Sequence, residues 1–375
     1  MHSLLKKCFQ QSQEKIMQYF KNKNKLKYLK YLLLTFIFTI FTTQAQDNID
    51  YQSFSTNESV INFVDELVEK YPQLFQESAE NSNRLNKNSL LNAFSKITKN
   101  NKVIRYVNPP KQSKIVASRS WKKYRKRFIN SQNIQNGLKF WRKNKSWFDL
   151  AEQTYGVPAE IILGIIGVET RYGTVMGNFS IFESLASLAF YSPRRAEFFK
   201  KELEEFILLC QENNLDLLSQ KGSYAGAIGI GQFMPSSIHK YAVDFDKDGK
   251  IDLINSQADA IGSVASFLNK HGWQNGQPVA FPINLNGHLP QSWLDYGVEP
   301  KINVNDLKQL GMQTLAPDDS VVALVDLVDF DSKGNSADEY WVGLRNFYTI
   351  TRYNRSYFYA MSVFQLGESI KAANK

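Results

Sequence analysis

A single carboxylate, Glu169, stands near the end of the otherwise apolar run Ile161 to Gly173. Ile166, Ile165 and Ile162 lie three, four and seven positions before it, so on a helix its side chain shares the face that must be buried. Arg171, two positions on, does not share that face. Pro158 suits the first turn of such a helix and Gly173 its exit, which makes it about 15 residues long and puts Glu169 one turn from the negative end of the dipole. Apolar surroundings disfavour the charged form of a carboxyl group, and that is how a glutamic acid stays protonated for general acid catalysis. A structural glutamate, paired with a distant Arg or a backbone amide, is the competing reading of this segment alone.

Ser223 to Ser237 packs small residues around one Ser and one Gln, Gln232, with Phe233 and Met234 following. Glycines there permit close approach of backbone to a ligand, although a tight turn between packed helices needs the same residues. The glycine spacing is not that of a dinucleotide fingerprint, and Ser223 does not sit in a Gly-x-Ser-x-Gly elbow.

Asp244, Asp246, Asp248 and Asp252 occupy positions one, three, five and nine of a loop with Gly249 at six, the pattern of an EF-hand-like calcium site. Position twelve is Asn255 in place of a bidentate Glu, so closure must come from elsewhere, with Asp259 the available carboxylate. A merely acidic surface turn is the alternative. A loop that supplies all its own oxygen ligands leaves little room for substrate, so the ion's expected role is structural.

Other chemistries lack their parts. His2, His239, His271 and His288 are scattered and no His-Glu-x-x-His occurs. Cys210 lies in the apolar segment Phe206 to Cys210, a poor place for a nucleophile.

The elements that must position these residues belong to a chain of 375 residues, 43% hydrophobic and 13% aromatic, ample for a sizeable core. The formal charge of +9 invites a nucleic-acid reading, but residues 1–45 hold eight Lys and one Glu, net +7, leaving +2 for the rest. Lysines up to Lys30, the 11-residue apolar run Tyr31 to Phe41 and the small residues before Gln46 read as a secretory signal peptide over 1–45, with Met17 a candidate true start. The run is short of the ~20 residues a spanning helix needs, so no stable membrane span is expected after cleavage. Cys8 lies before that point, leaving Cys210 as the one thiol of the mature chain, with no disulfide and no acceptor for lipid attachment. The expectation is a soluble periplasmic protein, with anchoring by an uncleaved signal as the alternative.

Residues 47–118 read as a helical lobe and 119–277 as a mostly helical core containing the loop 244–259. Residues 278–340 turn to Pro, Gly and the β-like run Val321 to Phe330, and the aromatic segment 341–375 closes the core. No internal repeat is found. The basic, aromatic stretch 119–128 reads as a solvated helix face with buried aromatics, and no nucleic-acid partner is expected.

Taken in order, Gly167 to Gly173, Pro193-Arg194-Arg195-Ala196, Ala225 to Ser237, Tyr241 to Asp244, Asn346 to Ser356 and Tyr359-Ala360-Met361 resemble the membrane-bound lytic murein transglycosylase B family over roughly 117–370. The resemblance implies an α+β, mostly helical fold: a lysozyme-like core, a helical N-terminal lobe and a small inserted β-containing lobe. It implies a lyase-type cleavage of peptidoglycan glycan strands between N-acetylmuramic acid and N-acetylglucosamine, leaving 1,6-anhydromuramic ends, with Glu169 as acid and then base. By position Ser223 resembles the hydroxyl that orients the acid, and Gln232, beside Phe233 and Met234, the amide that contacts an N-acetyl group. Tyr124, Tyr353, Asn354 and Tyr359 resemble other cleft residues. Arg194 and Arg195 resemble an arginine pair near sugar or stem peptide, unless they form a structural ion pair. The loop resembles the family's calcium site, with Asp244, Asp246, Asp248, the Lys250 carbonyl and Asp259 as ligands and Asp252 in reserve. No organic cofactor is implied, and other cell-wall enzymes are candidate partners.

Two other functions fit less well. A two-carboxylate muramidase would need Glu183 or Glu197 to approach Glu169 in the fold. An inactive peptidoglycan-binding scaffold would have no need of a buried proton donor.

Overall fold

The Ala159–Thr170 helix is the centre of the molecule, with every residue from Ala159 to Gly167 buried. The computed structural model describes residues 54–75, 85–109, 120–284, 290–329 and 339–375; the expected signal peptide over 1–45 and Arg119 lie outside them. The described residues fall in one compact unit, Gln52–Lys375, mostly helical with a small sheet.

The central helix is shorter than its apolar run. Arg171 and Tyr172 both adopt left-handed backbone, φ 50° and 62°, so the helix stops at Thr170 and Glu169 is its penultimate residue. Pro158 caps the other end in extended conformation, just outside the first turn.

Against it packs the Tyr357–Ala373 helix, running the opposite way. A Cβ on Gly164 would stand 2.2 Å from the Val363 carbonyl oxygen, and one on Gly367 2.3 Å from that of Glu160. The absence of side chains at these two positions lets the backbones meet. The Lys371 ammonium closes the same seam on Glu160 at 2.6 Å.

The N-terminal helices, Glu58–Lys70, Lys87–Ser95 and Asn101–Val107, share this core and do not build a separate one. Phe94 meets Phe182 of the Ile181–Tyr191 helix at 4.7 Å between ring centres, and Phe54 and Phe63 complete the aromatic wall. The Ala196–Glu212, Pro235–Tyr241 and Gln257–Lys270 helices wrap the other sides.

Seven short strands occur among the described residues. β1 (Phe179–Ser180) pairs antiparallel with β2 (Lys221–Gly222). β3 (Ala280–Asn284), β4 (Ile302–Asn303), β5 (Gln313–Thr314), β6 (Val321–Leu327) and β7 (Glu339–Gly343) form an antiparallel sheet in the order β4-β6-β7-β3-β5. The sheet covers its own apolar cluster, including Ile302, Leu307, Val322, Leu324 and Val342. It runs past position 340, because Trp341, Val342 and Gly343 pair with Val325, Leu324 and Ala323. Beyond β6 the chain returns to the helical core: the Trp121 amide donates to the Val328 carbonyl at 3.0 Å and the Ser120 hydroxyl to Asp329 at 2.5 Å.

Candidate active site

Glu169 emerges half-buried where the two central helices meet, and the Tyr359 hydroxyl donates to its Oε1 at 2.6 Å. Burial raises the Glu169 pKa from 4.5 to about 7, opposed by the Tyr359 hydrogen bond. No other carboxylate contributes to that shift.

Three tyrosines surround the acid. Tyr359 sits in the first turn of its helix, capped by Ser356, and is buried. Tyr353 lies parallel to it, ring centres 6.5 Å apart, and donates its hydroxyl to the Gly231 carbonyl at 2.5 Å. Tyr124, on the Trp121–Lys126 helix, packs on Phe358 at 5.5 Å. Burial, reinforced by the Glu169 charge, pushes all three phenols above their ordinary range. They are therefore neutral hydrogen-bond donors at any physiological pH.

The glycine-rich segment forms the facing wall. The Thr170 hydroxyl donates to the Ile230 carbonyl at 2.7 Å, which ties the residue after Glu169 to that segment. Ile228 and Phe233 exchange two backbone hydrogen bonds, and Phe233 turns its ring onto Tyr353 at 5.7 Å. Gln232 takes left-handed backbone, φ 53°, and its side-chain NH2 donates to the Met176 and Gly229 carbonyls at 3.1 and 2.9 Å. Both N–H groups are spent, so the amide oxygen is left as an acceptor. The Ser223 hydroxyl oxygen accepts the Ala225 and Ala227 amides at 3.3 and 2.9 Å, which leaves its proton to donate.

Other expected residues lie further from the acid. Ser223 makes no hydrogen bond to Glu169 among the described residues. Asn354 is exposed at the end of the Arg345–Tyr353 helix, and half-buried Met234 caps the Pro235–Tyr241 helix. Arg194 and Arg195 are exposed ahead of the Ala196–Glu212 helix. Arg195 stacks on Phe198 at 4.2 Å, and neither forms an ion pair among the described residues. Glu183 accepts from Asn100 at 2.8 Å, and Glu197 lines a different cavity with Lys200 and Glu204.

The acidic loop keeps part of its expected ligand set together. Oxygens of Asp244, Asp246 and Asp259 lie within 4.8 Å of one another. Asp259, 1% exposed, anchors the arrangement: its two oxygens accept the Phe245 and Asp252 amides at 2.7 and 2.8 Å. Burial raises its pKa, against the two amides it accepts. Asp248 is outside this cluster, its Oδ1 accepting the Lys250 amide at 2.9 Å. Asp252 is turned onto the Ile254 and Asn255 amides, and Asn255 donates to Asp252.

Residues 68–368 match the model of the transglycosylase SLT domain. The chain is 41% identical to the membrane-bound lytic murein transglycosylase B of Escherichia coli (strain K12) over 340 residues, 89% of each protein. The crystal structure of the soluble lytic transglycosylase SltB1 from Pseudomonas aeruginosa is matched with a TM-score of 0.74 at 41% identity, covering 84% of this chain and 99% of that one. The Escherichia coli lytic transglycosylase Slt35 in complex with calcium gives 0.73 at 39% identity, covering 88% and 98%.

The chain belongs to the SLT-domain lytic transglycosylases.

Two residues that shape the candidate site of this transglycosylase escape a reading of the chain alone. Thr170 has only its place in the last turn of an apolar helix to mark it, yet its hydroxyl also accepts the Gly173 amide at 2.9 Å and so shapes the helix exit. Phe358 looks like any core aromatic, yet its ring bridges Trp121 and Tyr124. Cys210 is buried with its thiol pushed up to about 12, which removes it as a nucleophile. In the basic stretch Trp121 is buried while Lys122, Lys123, Arg125, Lys126 and Arg127 are exposed.

Proposed function

We propose that the protein cleaves the β-1,4 bond between N-acetylmuramic acid and N-acetylglucosamine in peptidoglycan, with Glu169 as its one acid and base. A single half-buried carboxyl whose pKa stands near 7, shifted by burial and a tyrosine with no second carboxylate contributing, carries this reading. Such a group is protonated in a useful fraction of molecules at neutral pH and is a usable base once it has given up the proton.

Protonated Glu169 donates to the glycosidic oxygen as the C1–O bond breaks, and the freed hydroxyl leaves on the N-acetylglucosamine. The muramyl C6 oxygen then bonds to C1 while the Glu169 carboxylate takes the C6 hydroxyl proton. The acid is regenerated, a 1,6-anhydro ring is formed and no water is consumed. Tyr359 steadies the carboxylate between the two steps through its 2.6 Å hydrogen bond. The free Ser223 proton and the Gln232 amide oxygen suit an orienting donor and an acceptor for an N-acetyl N–H, while half-buried Tyr124, Tyr353 and Met234 offer apolar cleft surface, backed by buried Phe233. Arg194 and Arg195, exposed and without ion pairs among the described residues, suit stem carboxylates.

Asp244, Asp246 and Asp259 fit a hard divalent cation, and the relative Slt35 binds calcium. Calcium here would be structural, joined by the Lys250 carbonyl, locking the loop to the Gln257–Lys270 helix. The basic, apolar leader fits export to the periplasm; among the described residues no helix is long and apolar enough to cross a membrane.

Digestion of purified peptidoglycan in ¹⁸O-labelled water, followed by mass spectrometry, tests the reaction. Unlabelled muropeptides lighter by one water are expected. Label at a reducing end would make the protein a hydrolase, and no products with retained binding would make it a scaffold.

A further inference from the structure

The Pro235–Tyr241 helix begins without a cap of its own. Met234 stands at the N-cap position, where Ser, Thr, Asp or Asn usually supplies a side-chain oxygen, and its thioether makes no such bond. The cap comes from another element. Glu202, 3% exposed on the Ala196–Glu212 helix, accepts the Ser236 amide at 3.0 Å on one carboxylate oxygen and the Ser236 hydroxyl at 2.7 Å on the other. Resting on the function proposed above, we infer that Glu202 is a positioning residue, which caps this helix from outside and thereby places the Gln232–Met234 wall against the substrate.

A buried carboxyl group is costly unless its oxygens are satisfied, and among the described residues both oxygens of Glu202 bond to Ser236 alone. The pairing has a use. A helix of seven residues does not hold itself together, and its first amides have no partner inside the helix. Filling the N-cap position with Met234 gives the cleft an apolar side chain and leaves the helix start uncapped; Glu202 makes good the loss.

The same supporting helix fastens the far end. His239 Nδ1 lies 2.6 Å from Glu205 and its Nε2 3.2 Å from Glu212. Both carboxylates belong to the Ala196–Glu212 helix, so the short helix is held at its first turn and again near its last.

The link to the cleft is direct along the chain. Ser236 is two residues past Met234 and four past Gln232. The Met234 carbonyl accepts the Ser237 and Ile238 amides at 2.8 and 3.0 Å, so Met234 moves with the helix. Glu169 and Tyr359 lie on the two central helices, outside this anchor. Loosening Glu202 therefore weakens the grip on substrate and leaves proton transfer in place.

The test compares the parent with E202M, E202Q and S236A for KM and kcat on peptidoglycan strands, and for the Kd of the N-acetylglucosamine trimer by calorimetry, all below each variant's Tm. Met fills the space and accepts neither bond, so KM and Kd should rise about tenfold for E202M, the worth of two hydrogen bonds, with kcat within threefold of the parent. S236A, which removes one bond, should raise both about threefold. Gln can accept the amide and donate to the hydroxyl oxygen, so E202Q should stay within twofold of the parent. A lowered Tm with KM and Kd unchanged, or a fall in kcat alone, would overturn the positioning role and leave Glu202 a residue of stability only. If the parent released no product, the proposed reaction would fall, and the Kd values of the same variants would still decide the role of Glu202.

Discussion

Gly164 lies directly against Val363, so close that a Cβ at position 164 would stand 2.2 Å from the Val363 carbonyl oxygen. Gly164 is five residues before Glu169, and Val363 four after Tyr359. The same backbone contact that seals the core therefore sets the distance between the acid and its tyrosine. Gly164→Ala must push the helices apart, costing about 1–3 kcal/mol of stability as an overpacked core. Thermal unfolding should show a lowered Tm, and kcat should fall in parallel because the 2.6 Å bond stretches. A lowered Tm with unchanged kcat would disconnect the helix contact from the site.

Tyr359→Phe removes the donor that opposes the burial of Glu169. Since that bond favours the carboxylate, its loss should move the Glu169 pKa further up and carry the alkaline limb of the pH profile with it. The kcat should drop roughly tenfold, about 1.4 kcal/mol, the worth of one hydrogen bond to a charged group. A downward shift of that limb would contradict the assigned direction.

The pH dependence of the parent follows from the same group. On the proposed reaction activity requires protonated Glu169, so kcat/KM should fall about tenfold per pH unit above about 7. Stability has the matching sign. A pKa raised from 4.5 to about 7 favours the protonated fold, a contribution full below 4.5 and lost as pH rises through 7. Gln mimics the protonated form, so the Tm of Glu169→Gln should match the parent at pH 4 and exceed it at pH 8. Equal Tm values at both pH values would show that the carboxylate is not desolvated.

Calcium should raise Tm by several degrees, since a hundredfold excess over its dissociation constant stabilises by about 2.7 kcal/mol. Asp259→Asn should abolish that increment, whereas Asp252→Asn should keep most of it, because Asp252 lies outside the cluster that Asp259 forms with Asp244 and Asp246. Differential scanning calorimetry with calcium and with EDTA reads both. The reverse order of the two variants would reassign the closing ligand.

How much of this was legible in the chain varies by residue. Glu169 on a buried face was legible, because three isoleucines at helical spacing are a local pattern. The end of its helix was misplaced by two residues, with the left-handed cap at Arg171 and not at Gly173. The Tyr359 contact spans 190 positions and has no local signal; only resemblance to a family suggested that residue. In the acidic loop the spacing pointed to the segment from which Asp244 and Asp246 join Asp259. It could not show that Asp248 turns to the Lys250 amide while buried Asp259 draws Asp244 and Asp246 together. The sheet was foreshadowed by Val321 and its neighbours, but its last strand ends at Gly343, inside an aromatic run that reads as core.

The most direct test of the single-carboxylate site is the rate of anhydromuropeptide release by Glu169→Gln. With no other carboxylate contributing to the Glu169 pKa, the loss should be at least about a thousandfold, within the range for removing a general acid. A Glu169→Gln rate within tenfold of the parent would contradict it and require the proton to come from another group.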